Sequence, residues 1–143
     1  MLSASDSLIE YLASELSPWP VFWWRKGDIE NHAGFLKQDA LNISLLGFWE
    51  DESMEMCLVS LDLLASDERT ALENIKLLRD ALINVQFVPE RDFTDPAFPQ
   101  YTGRNITWDA RKVRFISVRT PAGARYAHYN ATFPLVYTRE ASR

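Results

Sequence analysis

The residues of this chain that could do chemistry are few and scattered. Its two histidines, His32 and His128, and its single cysteine, Cys57, stand at no spacing that closes a zinc site. No nucleophile elbow or cysteine-protease signature flanks a serine or Cys57, so no hydroxyl or thiol is marked for activation by a base. Neither a Walker nor a dinucleotide fingerprint occurs, and the five glycines form no phosphate-cradling loop. Asp28, Glu30 and Asp39 would act as paired carboxylates only if folding happened to bring them together. Four acids between Glu50 and Glu55 invite a calcium loop, but the ligand spacing and the bending glycine are missing, so a solvated turn is expected. These residues predict a protein that is not an enzyme and that has neither cofactor nor metal.

What remains is the chemistry of contact. Trp19, Trp23 and Trp24 could stack on sugars or bases, but only Arg25 and Lys26 accompany them, which favours core or subunit contact. Arg104, Arg111, Lys112, Arg114, Arg119 and Arg125 gather near the carboxyl-terminal end, a composition suited to phosphate. The whole chain is acidic, with a formal net charge of -5, which works against binding free DNA. Arginines of this kind serve equally well to pair with carboxylates of a neighbouring subunit. From Arg104 onward eight Lys or Arg face two acids, giving +6, whereas the first 103 residues carry -11. Such a chain can attract copies of itself head to tail, or simply carry two solvated faces that never meet.

These residues hang on elements that the hydrophobic pattern makes legible. Met54 to Leu63 reads as a central strand, with Cys57, Val59, Leu61 and Leu63 on one side and Met54, Met56 and Leu58 on the other. It runs into a helix with the stripe Leu72, Ile75, Leu78, Leu82 and Val85, started at Ser66-Asp67, where a short oxygen side chain can accept from free amides. Ser5-Asp6 opens an earlier helix burying Leu8, Ile9, Leu12 and Leu16, stopped by Ser17-Pro18. Val21 to Trp24 is β-prone, and Gly27-Asp28 is a turn. Leu41, Ile43 and Leu45 alternate with Asn42 and Ser44 in a strand with one wet face, which forms a hairpin with Met54 onward across Glu50, Asp51, Glu52 and Ser53.

Residues 87–107 read as a long loop or arm, because Pro89, Pro96 and Pro99 oppose regular structure while Phe87, Phe93, Phe98 and Tyr101 keep it sticky. It either docks on a neighbour or caps its own sheet. Lys112 to Arg119 and Arg125 to Arg139 are the last two strands, joined by a turn at Pro121 to Ala124. Pro134 predicts a local edge or bulge in the final strand. His128 lies opposite Ala127 and Tyr129 and reads as a surface or interface residue.

The sum is one α+β domain over residues 1–143: a mainly antiparallel sheet built from two hairpins, packed on two helices, with a proline- and aromatic-rich loop. A content of 47% hydrophobic and 13% aromatic residues excludes a disordered chain. No run of eighteen apolar residues could span a membrane, and the opening MLSASDSLIEYL lacks a signal peptide's basic leader and apolar run. A lone Cys57 in an apolar strand predicts a buried thiol and folding in a reducing, intracellular setting. The Asn-x-Ser/Thr matches at Asn42, Asn105 and Asn130 then carry no sugar.

Taken together, the opening helix DSLIEYLASEL, the aromatic strand PVFWW, the hairpin ending CLVSLDLL, the helix ERTALENIKLLRDAL and the closing strand YAHYNATFPLVYTRE resemble the tail-terminator and neck (head-tail joining) proteins of tailed bacteriophages. The resemblance covers most of the chain and is one of pattern. It implies a non-enzymatic virion protein that forms a ring, hexameric in that family, assembled in the host cytoplasm. The ring would cap the tail tube, meet the head connector proteins and let DNA pass through its lumen. A ring needs a heterologous contact, one patch meeting a different patch on the next copy. The expected interface residues are Phe93, Phe98, Tyr101, Arg111, Arg114, Arg119 and Arg125, with Glu50, Asp51 and Glu52 on an acidic or lumen face. The competing expectation is a monomeric or dimeric cytoplasmic binding module of adaptor or immunity type.

Overall fold

The structure, a computed structural model, describes residues 7–8, 10–12, 14, 21–23, 40–51, 54–92, 94–95, 97–98 and 100–139. The expectations placed on Ser5-Asp6, Ile9, residues 16–19, residues 24–39, Glu52, Ser53, Phe93, Pro96 and Pro99 lie outside those residues. For Trp23 and Asp51 only the backbone is described.

The architecture is α+β, a mainly antiparallel sheet carrying two helices. The helical residues 7–8, 10–12 and 14 (α1) come first, with Leu8 and Leu12 fully buried. Strand β1 (Val21–Trp23) pairs in parallel with β2 (Ala40–Asp51), which forms an antiparallel hairpin with β3 (Met54–Ala65). Helix α2 (Glu68–Asn84) follows. Then come β4 (Phe87–Asp92), β5 (Gln100–Thr107), a 3₁₀ turn at Ala110–Lys112, β6 (Ile116–Ser117) and β7 (Ala127–Arg139). The sheet order is β1-β2-β3-β7-β5-β4, with β6 also pairing to β7.

β3 is interior, flanked by β2 and β7, as the apolar residues on both of its faces predict. Cys57, Val59, Leu61 and Leu63 are buried together with Tyr129, Ala131, Phe133 and Leu135 of β7 and with Leu8, Leu12, Leu78 and Leu82 of the helices. Burying a Leu or Phe of this kind stabilises the fold by about 1.5–3 kcal/mol each.

The start of α2 is as expected: Asp67 is the N-cap and accepts from the Thr70 amide at 2.8 Å, and Glu68 sits at the positive end of the helix dipole. Its buried face differs from the expected stripe. Leu78 and Leu82 are buried and Ile75 packs half-buried against the core, but the other fully buried positions are Ala71 and Ala81, and Leu72 is 56% exposed. Leu72 lies one residue, about 100°, around the helix from Ala71. Hydrophobicity counting favours leucine, whereas close approach of a helix to a sheet favours alanine. The helix ends without a basic residue in its last turn. Two of its orphan carbonyls are satisfied from elsewhere: the Tyr11 hydroxyl donates to the Ala81 carbonyl at 2.7 Å, and the Trp108 indole donates to Leu82 at 2.8 Å.

Three expectations are corrected here. Residues 87–107 are not a long loop: β4 and β5 form a hairpin from Phe87↔Thr107 to Asp92↔Gln100. Pro89 is tolerated because β4 is the last strand in the order and the register shifts between Pro89 and Arg91. Lys112 to Arg119 is not one strand: only Ile116 and Ser117 pair with β7, after a 3₁₀ turn capped by Asp109. In β2, Asn42 and Ser44 do not face water, and both are buried.

Pro134 sits inside an interior strand, and the hydrogen-bond parity explains it. His128 accepts from Val118 and Val136 accepts from Thr107, so even-numbered β7 residues point their backbone groups away from β3. On that side β6 pairs with Tyr129 and Asn130, and β5 with residues from Val136 onward. Pro134 therefore lacks its N–H where none of the described strands asks for one.

Candidate functional site

Of the expected interface residues, Phe98 and Tyr101 are the most exposed aromatics described, at 70% and 68%. They sit at and beside the tip of the β4–β5 hairpin, where an Asx turn at Asp95 and the bond from Ala97 order the chain. Arg91 lies with its guanidinium 5.4 Å from the Tyr101 ring centre and ion-pairs with Glu10 at 2.5 Å. That pair spans a cleft of about 300 Å³ between α1 and the hairpin, lined by Ser7, Tyr11, Val88 and Tyr101.

The arginines do not act as one patch. Arg111 closes on Asp109 within its own turn, at 3.0 Å, and this partner holds the half-buried Asp109 carboxyl below the usual range. Arg114, Arg119 and Arg125 are exposed and make no ion pair among the described residues. Arg104 leaves the cluster altogether. It bonds the buried Glu90 carboxylate through Nε at 3.0 Å and Nη2 at 3.2 Å, and Glu55 through Nη1 at 2.5 Å. Its guanidinium also lies 4.2 Å from the Tyr137 ring centre. Burial works against the charge, but the bonds to Glu55 and Glu90 outweigh it and hold the Arg104 pKa above its ordinary value. Glu90, at 1% exposure, also accepts from Thr102 at 2.7 Å. This network joins the β4–β5 hairpin to the start of β3.

A second polar centre lies on the face away from the helices, where the register sets Asn42, Asp62 and Asn130 in one row and Ser44, Ser60 and Thr132 in the next. His128 is not a surface residue: its side chain is 12% exposed and its Nε2 stands 2.8 Å from Asp62 Oδ1. Asn130 donates to that same oxygen at 3.0 Å and to Ser60 at 2.7 Å. The Asn42 and Ser44 side chains are buried and have no hydrogen-bond partner among the described residues. An Asp–His pair could serve acid–base chemistry; Ser60, which Asn130 links to Asp62, pairs with Thr132 two rows from the Leu64–His128 row. No side-chain hydrogen bond among the described residues joins His128 to a hydroxyl or to Cys57. Among the described residues, no group of three or more His, Cys, Asp or Glu could hold a metal.

Cys57 is buried, and desolvation pushes its thiol up to about 11. On the acidic side, Glu50 is exposed at the end of β2, whereas Asp51 is described by backbone alone and Glu52 not at all. No helix among the described residues is long and apolar enough to cross a membrane.

Sequence reasoning missed Glu90 and Asp62. Glu90 was hidden by the prolines around it, though Val88 and Glu90 alternate with the exposed Phe87 and Pro89 as a strand demands. Asp62 carried a signal in its oddity, one carboxylate in the apolar run from Cys57 to Ala65. Comparison with known protein families finds no match, and comparison with curated proteins finds none either.

Proposed function

We propose that this chain is a non-enzymatic structural subunit that assembles with copies of itself into a ring, in the manner of tail-terminator and neck proteins. The observation that carries the reading is the pair of unlike surfaces one chain presents. Phe98 and Tyr101 stand out from the β4–β5 hairpin, and Arg114, Arg119 and Arg125 lie exposed without ion partners among the described residues near β6 and the turn into β7. A heterologous contact needs two such different patches, and a closed ring follows when the rotation between copies closes. In this role the ring, hexameric by the resemblance, caps a tail tube, meets the connector proteins of the head and passes DNA through its lumen without gripping it. It resides in the virion tail or neck after assembly in the host cytoplasm.

Mass photometry over a concentration series at low salt, with negative-stain imaging in the presence of tail-tube rings, tests the reading. Rings of uniform size are expected, and Phe98→Asp with Tyr101→Asp abolishes them while leaving the circular dichroism unchanged. A strict monomer in both settings, captured by one partner at fixed stoichiometry, would establish an adaptor-type binding module instead.

A further inference from the structure

We infer, on the strength of the ring reading above, that neighbouring copies meet when the acidic, aromatic tip of the β4–β5 hairpin of one chain enters a basic groove between α2 and the segment before β6 of the next.

The groove, about 260 Å³, is lined by Ile75, Arg79, Val113, Arg114 and Phe115, and no acid lines it. Arg79 and Arg114 are exposed and make no ion pair among the described residues. The exposed Leu72 and Ile83, seven before Arg79 and four after it, lie on the same side of α2 and widen its apolar surface.

The acids nearby do not cancel this charge. Glu73 pairs with Arg69, Asp109 pairs with Arg111, and Glu68, at the first turn of α2, accepts from the Tyr129 hydroxyl. Asp80 directly follows Arg79, but one residue turns the helix by about 100°, and this step leads away from Ile75 and the groove. Asp80 stands on the side of Lys76, four residues before it. Set against Lys76, it leaves Arg79, Lys112 and Arg114 as the excess.

The hairpin tip is the complementary surface. From Asp92 to Gly103 the chain holds two acids and no Lys or Arg. Asp92 and Asp95 are both exposed, and neither makes an ion pair among the described residues. Asp95 accepts from the Ala97 amide through its side chain and from the Phe98 amide through its carbonyl, so one turn carries the carboxylate and the exposed Phe98 ring together. Tyr101 stands exposed just behind them. An aromatic face set against guanidinium groups, with carboxylates reaching the same guanidiniums, is favourable on both counts.

One molecule cannot close this contact on itself. The groove adjoins β6, where Ile116 pairs with Asn130, whereas β5 pairs with β7 as far as Arg104↔Arg139. Those pairs are nine residues apart along β7, roughly 30 Å at the rise of an extended strand. The tip continues from Arg104 in the direction away from β6, through Tyr101 and Gln100. Two complementary patches at opposite ends of one subunit are satisfied by a second copy, and that contact is heterologous, as a ring requires.

The test reverses each side and then both. Arg79→Glu with Arg114→Glu, and separately Asp92→Lys with Asp95→Lys, should each raise the half-assembly concentration about tenfold or more. The chain carrying all four changes should recover assembly, since the charges are again complementary. Urea midpoints check that each variant is folded. In a mixture of a Phe98→Cys chain with an Arg114→Cys chain, mild oxidation should give a covalent dimer that neither chain gives alone. If the native chain forms rings while the reversed variants assemble equally well and the mixture does not cross-link, this contact is wrong and the ring reading stands. If the native chain forms no ring under any condition, tail-tube rings included, both fall. If the Phe98→Cys chain cross-links to itself instead, the tips meet each other and the groove assignment is overturned. If Arg79→Glu with Arg114→Glu spoils binding to tail-tube rings but not self-assembly, the groove takes the tube protein and a second copy is excluded from it.

Discussion

Arg104 grips Glu90 with two nitrogens while Glu90 is 1% exposed, so a hairpin that the sequence presents as a loose arm is pinned to the sheet by a buried ion pair. The pair is not isolated: Glu55 at the start of β3 takes the remaining guanidinium edge. Replacing Arg104 leaves the Glu90 carboxylate enclosed without its counter-charge. Arg104→Met should destabilise the fold by about 3 kcal/mol, and Arg104→Met with Glu90→Gln by clearly less, because the stranded charge is then gone. Urea unfolding of the two singles and the double measures the coupling.

Acid should weaken the cap of α2 in a defined way. Asp67 is held below its ordinary value of 3.8, chiefly by its bonds from Thr70. A carboxylate with a depressed folded pKa contributes stability that is fully present above 3.8 and lost as pH falls through the lower folded value. Asp92, bonded by Thr94, and Asp109, bonded by Arg111, shift in the same direction and add to the same acid limb. Asp67→Asn keeps a good cap and should flatten its share of the loss below pH 3.8, whereas Asp67→Ala should lower the melting temperature at neutral pH as well. Thermal melts from pH 2 to 7 read both.

The Cys57 thiol should be inert while the protein is folded. With its pKa pushed to about 11, roughly one molecule in a thousand carries the thiolate at pH 8, and the side chain is enclosed. Labelling by an aromatic disulfide reagent should follow the unfolding rate in buffer and become immediate in urea. Rapid labelling of the native protein would contradict the burial.

Tyr11 and Trp108 should each matter more for the end of α2 than for the core. Tyr11→Phe removes the donor to the Ala81 carbonyl without changing the ring, and about 1 kcal/mol of stability should go with it. Trp108→Phe loses the bond to Leu82 and some buried area, so a cost of about 2–3 kcal/mol is expected. Hydrogen exchange should show faster opening at Asn84 and Val85 in both variants.

Where one physical preference governed a segment, the sequence was enough to read it. Cys57, Val59, Leu61 and Leu63 had no polar alternative, and Asp67 had a vacant amide to bond. Where two preferences competed, the reading failed. Prolines argued against strand in residues 87–107, yet the edge position of β4 removed the objection. Polar residues argued for water at Asn42 and His128, yet cross-strand position enclosed them and gave His128 a partner in Asp62. The interface candidates split on the same ground. Arg114, Arg119 and Arg125 stand exposed and make no ion pair among the described residues. Arg104 was captured because β5 sets it beside Glu90, and Arg111 because Asp109 is two residues away. No spacing rule could have separated these, since the partner of Arg104 is chosen by sheet order.

The break in pairing along β7 also has a mechanical meaning. β5 is stitched to β7 only from Arg104↔Arg139 to Thr107↔Val136, while β3 runs beside β7 from Glu55 to Ala65. The sheet is thus one broad plate with a narrower tab fastened along a short seam at one corner. Load applied at Phe98 reaches the plate through that corner, and the Arg104 guanidinium is the rivet that keeps the tab from peeling.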